Sequence, residues 1–98
     1  VEGIGEDIVC DALDLSVLDE FRIVNDRDCF ATARNLLRKD GLFCGGSSGA
    51  SVKIAGDIAR ENDNNCFVVA ILCDAASRYT SKYLSDKWLE EKDFTDII

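Results

Sequence analysis

Histidine, proline and methionine are all absent from this 98-residue chain. Without histidine it holds no Ser-His-Asp triad, no Cys-His dyad and no imidazole for zinc. Proline normally supplies about 5% of residues, so its absence is a marked bias. Methionine is missing even at the start, where Val1 stands, so the chain is expected to be processed or cut from something longer. Long apolar runs are missing too. None approaches the roughly 18–20 residues of a membrane span, and no basic-then-apolar signal segment opens the chain. No membrane partner is expected, and the expected location is cytoplasmic.

Positive charge is scarce. Eleven Lys and Arg face nineteen Asp and Glu, a net charge of −8. Such a chain repels phosphate backbones, which argues against a nucleic-acid partner. Hydrophobic residues make up 47%, too many for a disordered polymer, and the length suits one small domain over residues 1–98. The five cysteines are Cys10, Cys29, Cys44, Cys66 and Cys73. Their number is odd and no pair has CxxC spacing, so reduced thiols are expected rather than a disulfide framework or a metal cluster.

The pattern along the chain alternates. Glu20–Val24 and Leu42–Cys44 read as short strands. Cys66–Cys73 is apolar throughout, which suits a central strand covered on both faces. Between them, Asn25-Asp26 caps a helix from about Arg27 to Lys39, with Phe30, Ala33, Leu36 and Leu37 on one stripe and Gly41 as a left-handed stop. A second helix is expected from Ser48 to Glu61 and a third from Arg78 to Glu91. Strands alternating with helices predict an α/β fold with three parallel strands. A narrow sheet with so apolar a centre looks built for a larger one.

Three places stand where strand ends meet loops. Gly45-Gly46-Ser47-Ser48-Gly49 joins a strand to a helix, and its free N–H groups suit an anion or an acceptor; an ordinary serine-capped turn has the same pattern. Gly3-Ile4-Gly5 offers bare backbone to a ligand or forms a plain loop. Asp74 follows the central strand and either meets a ligand or caps the next helix. In a parallel sheet these turns would share one cleft.

The runs Val1–Gly5, Gly41–Gly49 and Ser81–Trp88 resemble cystathionine β-synthase, a pyridoxal-phosphate enzyme family of the tryptophan-synthase-β type, also called fold type II. The likeness runs in register over essentially the whole chain. The Gly-Gly-Ser-Ser-Gly element is shared with cysteine synthases, while Tyr83–Trp88 is more particular to cystathionine β-synthase. The resemblance implies the C-terminal segment of a catalytic core. It implies that Ser47 contacts the pyridine nitrogen of pyridoxal 5′-phosphate, that Gly3, Ile4 and Gly5 border cofactor and substrate, and that Asp74 lies near the ring. The implied reaction is a lyase-type β-replacement that condenses serine with homocysteine to cystathionine, a transsulfuration step in cysteine biosynthesis. A homodimer of the full-length protein is implied as well.

The Schiff-base lysine and the phosphate loop lie in the family's earlier sequence. None of Lys39, Lys53, Lys82, Lys87 or Lys92 stands at a matching position, so no catalytic residue is assigned within this chain. Departures cluster near the implied pocket. Glu6 stands where the family has tyrosine, Cys73-Asp74-Ala75 replaces Pro-Asp-Ser, and Ser77 replaces an arginine. They leave two alternatives: a degenerate, non-catalytic copy serving as scaffold or dimer partner, and a cysteine synthase.

Overall fold

Helix α1, Asp26–Asn35, begins where its cap predicts. In the computed structural model, which describes residues 1–98, the Asn25 side chain accepts the Asp28 N–H at 2.8 Å. Asp26 and Asp28 occupy the first turn and Arg34 the last, each on the side the helix dipole favours. The helix widens into a π-type turn over Leu36–Asp40 and stops at Gly41, whose φ of 69° is left-handed. The Gly41 and Leu42 N–H groups close back on Leu37 and Leu36 carbonyls at 3.2 and 3.1 Å.

Helix α2, Gly46–Glu61, starts two residues before the expected Ser48, and Gly45 precedes it without a side-chain cap. α1 and α2 cross at very close range. A Cβ built on Gly49 would lie 2.1 Å from the Cys29 carbonyl oxygen and 3.1 Å from Ala33 N, so backbone meets backbone there.

The expected third helix, Arg78–Glu91, does not form as one piece. A 3₁₀ turn spans Ala76–Tyr79, further turns follow, and α3 covers Asp86–Glu91. Ser85 explains the late start, because its hydroxyl caps α3 by accepting the Trp88 N–H at 3.4 Å. Short 3₁₀ turns at Leu15–Val17 and Thr95–Ile97 complete the regular structure.

The core sits between α1 and the segment running into α3. Tyr83 is 1% exposed and Leu89 fully buried, with Phe30, Ala33 and Tyr79 beside them. The Phe30 ring stacks on Tyr83 with centroids 5.3 Å apart and takes Trp88 and Phe94 edge-on. Arg34, buried within this packing, donates to the Tyr83 carbonyl at 3.0 Å and to Asp86 at 2.7 Å. The Tyr83 hydroxyl donates to the Cys44 carbonyl at 2.6 Å, tying the core to the glycine-rich turn. Burial, with smaller contributions from Cys44, Asp74 and Tyr79, pushes the Tyr83 phenol well above its usual range. Tyr83→Phe should therefore cost about 1–2 kcal/mol by leaving a buried carbonyl unpaired. Urea unfolding checks this, and an unchanged midpoint would mean the bond contributes nothing.

The α/β reading is overturned. No sheet forms; the only pairing is one isolated antiparallel bridge between Cys44 and Ala75. Glu20–Val24, Leu42–Cys44 and Cys66–Cys73 find no parallel neighbours, and the architecture is helical. The reason is physical. Strands are stabilised by cross-strand partners and covered faces, and an apolar run supplies neither by itself. Phe67 is 94% exposed and Val69 73%, so the run read as a doubly covered strand faces solvent, as does Ile23 in the first expected strand.

Candidate functional site

The Cys44–Ala75 bridge brings two distant segments together. Beside it, the Gly45 N–H donates to the Asp74 carbonyl at 2.9 Å and the Ala76 N–H to the Phe43 carbonyl at 3.2 Å. This stitch places the Asp74 carboxylate against Gly45. A Cβ on Gly45 would sit 1.9 Å from Asp74 Oδ1 and 2.8 Å from Cγ, so only glycine leaves that space. Tyr79 donates its hydroxyl to Asp74 Oδ2 at 2.7 Å. Asp74 Oδ1 is buried with no hydrogen-bond partner. The bond to Asp74, then burial and the charges of Asp74 and Glu2, raise the Tyr79 phenol above its ordinary value, with Arg78 opposing.

Asp74 and Tyr79 line a cavity of about 270 Å³ with Gly3, Ile4, Ser47, Ser51, Cys73 and Glu2. Ser47 lies in the first turn of α2, whose leading N–H groups have no intrahelical acceptor. Gly3 and Gly5 adopt φ of 83° and 77°, a left-handed pair that lets the opening segment turn across the cavity. Glu2 pairs with Lys82 and so fastens that segment to the chain before α3. No lysine or arginine lines the cavity. A second cavity of about 460 Å³ adjoins it through Glu2 and Tyr79, walled by the aromatic core.

Four of the five site residues expected from the sequence, Gly3, Ile4, Ser47 and Asp74, share the smaller cavity. Gly5 lies outside it, as does the exposed Glu6, so that carboxylate does not face the site. Sequence reading missed Tyr79 and Ser51. Ser51 follows Ser47 by one helical turn and donates to its carbonyl at 3.3 Å, so the four-residue spacing carried a usable signal. Tyr79 carried none, because its partner lies five residues back, a spacing that matches neither helix nor strand. Cys29 and Cys44 are buried free thiols, and burial raises both above the ordinary thiol value. Cys10, Cys66 and Cys73 are exposed and free.

Nearly the whole chain aligns with known proteins. Cystathionine beta-synthase from Mus musculus is 47% identical over 94 residues, which is 96% of this chain and 17% of the relative. The chain is similar to a segment of cystathionine beta-synthase. The protein of that name from Apis mellifera is 39% identical over 94 residues, 96% of this chain and 19% of its own length. Cysteine synthase 1 from Neurospora crassa is 33% identical over 99 residues, 99% of this chain and 26% of that protein. The chain therefore spans about a fifth of the length of the curated relatives it matches. No family model matches it. No helix is long and apolar enough to cross a membrane.

Proposed function

We propose that residues 1–98 form one wall of the cofactor site in a pyridoxal-phosphate-dependent β-replacement enzyme that condenses serine with homocysteine to cystathionine. The observation that carries the reading is the convergence of Ser47, Asp74, Gly3 and Ile4 on one cavity. Ser47 and Asp74 are brought there by the Cys44–Ala75 bridge rather than by proximity in sequence. Relatives named cystathionine beta-synthase run from 34% to 47% identity against 33% for cysteine synthase 1, a balance that favours homocysteine over sulfide as the second substrate.

The cavity's chemistry fits the ring of the cofactor and not its phosphate. It offers a hydroxyl from Ser47 and glycine backbone from Gly3, with no cation. Ser47 would hold the pyridine nitrogen, and Gly3-Ile4 would lie along the ring. When bound, the cofactor supplies the electron sink through which an amino acid sheds its β-substituent. A neutral hydroxyl at the nitrogen does not force protonation there as a carboxylate partner would, which keeps that sink mild and suits β-replacement. None of the lysines lines this cavity, so the Schiff-base lysine and the phosphate cradle are assigned to residues beyond this segment. The exposed apolar stretch around Phe67 and Val69 would then be covered by other parts of a full-length, homodimeric protein.

The test uses the full-length protein supplied with pyridoxal phosphate. Serine plus homocysteine should yield cystathionine by mass spectrometry. Cysteine formed only from O-acetylserine and sulfide would select the cysteine synthase reading. No cofactor absorbance and no turnover would leave the non-catalytic scaffold.

A further inference from the structure

The larger cavity, about 460 Å³, takes no part in the proposed cofactor chemistry and lies within the size range of small-molecule sites. Its wall follows from how α3 ends. The Lys92 N–H closes on the Trp88 and Leu89 carbonyls at 3.1 and 3.2 Å. Asp93 then takes a φ of 60°, a left-handed conformation that residues other than glycine seldom adopt. That turn lets the Phe94 N–H reach the Leu89 carbonyl at 2.8 Å and sets the Phe94 ring edge-on to Phe30, centroids 5.6 Å apart. Trp88 and Phe94 end nearly parallel, 24° apart. Unlike the buried Tyr83, both are only half-buried, so their rings keep apolar surface that a ligand can cover.

Four charged side chains line the same cavity: Glu2, Asp26, Lys82 and Lys92. Three of them are engaged. Glu2 pairs with Lys82, and Asp26 accepts the Val1 nitrogen at 2.8 Å. Lys92 is exposed and makes no ion pair, although acids outnumber bases in a chain of net charge −8. The half-covered rings and the unpaired ammonium specify two halves of one ligand, a flat apolar body and an anionic head. The two acids on the rim limit the charge of that head. They repel a dianion such as phosphate more than a single carboxylate.

We propose that this cavity is a second ligand site, which takes a small aromatic monocarboxylate with its ring against Trp88, Phe94 and Phe30 and its carboxylate on Lys92. The two halves carry different weights. Burial of the ring supplies most of the affinity, because it removes apolar surface from water on both sides. Lys92 supplies the choice of sign, since an ion pair at an exposed rim adds little energy but separates an anion from a cation. The site meets the smaller cavity only through Glu2 and Tyr79. It stands independently of the cofactor reading and takes its ligand whether or not pyridoxal phosphate occupies the neighbouring cavity.

The experiment titrates the full-length protein, with and without pyridoxal phosphate, with phenylpropionate, phenylpropanol and phenylpropylamine. These probes share one body and differ in the charge of the head, and saturation-transfer NMR gives each dissociation constant. Phenylpropionate should bind about fivefold more tightly than the alcohol, the span of an exposed ion pair, and the amine should bind most weakly. Lys92→Gln, at an exposed position, should bring phenylpropionate to the level of the alcohol and leave the alcohol unchanged. Trp88→Ala should weaken all three probes; where that variant does not fold, the order of the probes and Lys92→Gln decide. Equal affinities for the three probes, or a Lys92→Gln protein that still prefers phenylpropionate, overturn the proposal. So does a full-length protein that takes none of the probes, because its own chain then fills the cavity. Probes displaced by pyridoxal phosphate would belong to the smaller cavity, which also overturns it. A protein that takes the probes in the expected order but no pyridoxal phosphate defeats the cofactor reading and leaves this site standing.

Discussion

Gly49→Ala is expected to destabilise the protein by about 3 kcal/mol, against the usual sign for such a change. Within a helix, glycine to alanine normally stabilises by roughly 1 kcal/mol. At Gly49 space decides otherwise. The new methyl would lie 2.1 Å from the Cys29 carbonyl oxygen, a backbone atom that cannot rotate away, and 3.1 Å from Ala33. α1 and α2 must separate to admit it, and overpacking of that kind costs roughly 1–3 kcal/mol on top of the lost contacts. Gly56 provides the control on the same helix. There the methyl meets only the Arg60 guanidinium, at 3.4 Å, the movable end of a flexible side chain. Gly56→Ala should stabilise by up to about 1 kcal/mol. Urea unfolding of both variants should move the midpoints in opposite directions. Two stabilised variants would show that the helices do not approach as described.

Gly45→Ala should instead strike the site. With φ −74° and ψ 174°, Gly45 has a backbone that any residue adopts, so conformation is not the obstacle. The methyl would stand 1.9 Å from Asp74 Oδ1 and 3.0 Å from the Tyr79 ring. The carboxylate is the end of a side chain and can swing aside, but only by giving up the Tyr79 bond at 2.7 Å. Stability should therefore fall by about 1–2 kcal/mol, less than for Gly49→Ala, since a charge-assisted hydrogen bond is lost and no helix is displaced. Affinity for pyridoxal phosphate should fall more than about tenfold by fluorescence titration, because the displaced carboxylate changes the shape of the pocket. A variant that binds as wild type would remove Asp74 from the site.

The parts of this fold legible in the sequence are those decided locally. Asn25 and Gly41 bracket α1 because a cap needs only a short polar side chain and a stop needs only a residue tolerant of positive φ. Cys66–Cys73 misleads for the converse reason. An apolar run states that burial is wanted and is silent on what provides it, so a strand was expected where the chain stands in solvent. Ser85 went unread inside the expected third helix, where a capping hydroxyl outweighs the apolar spacing of Tyr83, Leu84 and Trp88.

The site divides the same way. Glycines at positions 3 and 45 and the serine at 47 stand out as loop chemistry at element ends. Their meeting with Asp74 depends on a single antiparallel bridge, which no periodicity announces. Tyr79 lies inside the expected third helix and is buried in the core. Its hydroxyl also holds the Asp74 carboxylate, and hydroxyl partners across a 3₁₀ turn leave no pattern in sequence.

The most direct measurement is a crystal structure of the full-length protein with pyridoxal phosphate bound. The ring nitrogen should lie within hydrogen-bond reach of Ser47 Oγ, with Gly3-Ile4 along the ring and Asp74, still held by Tyr79, near the ring. A ring bound elsewhere, or a phosphate group seated where the nitrogen edge is placed, would contradict it.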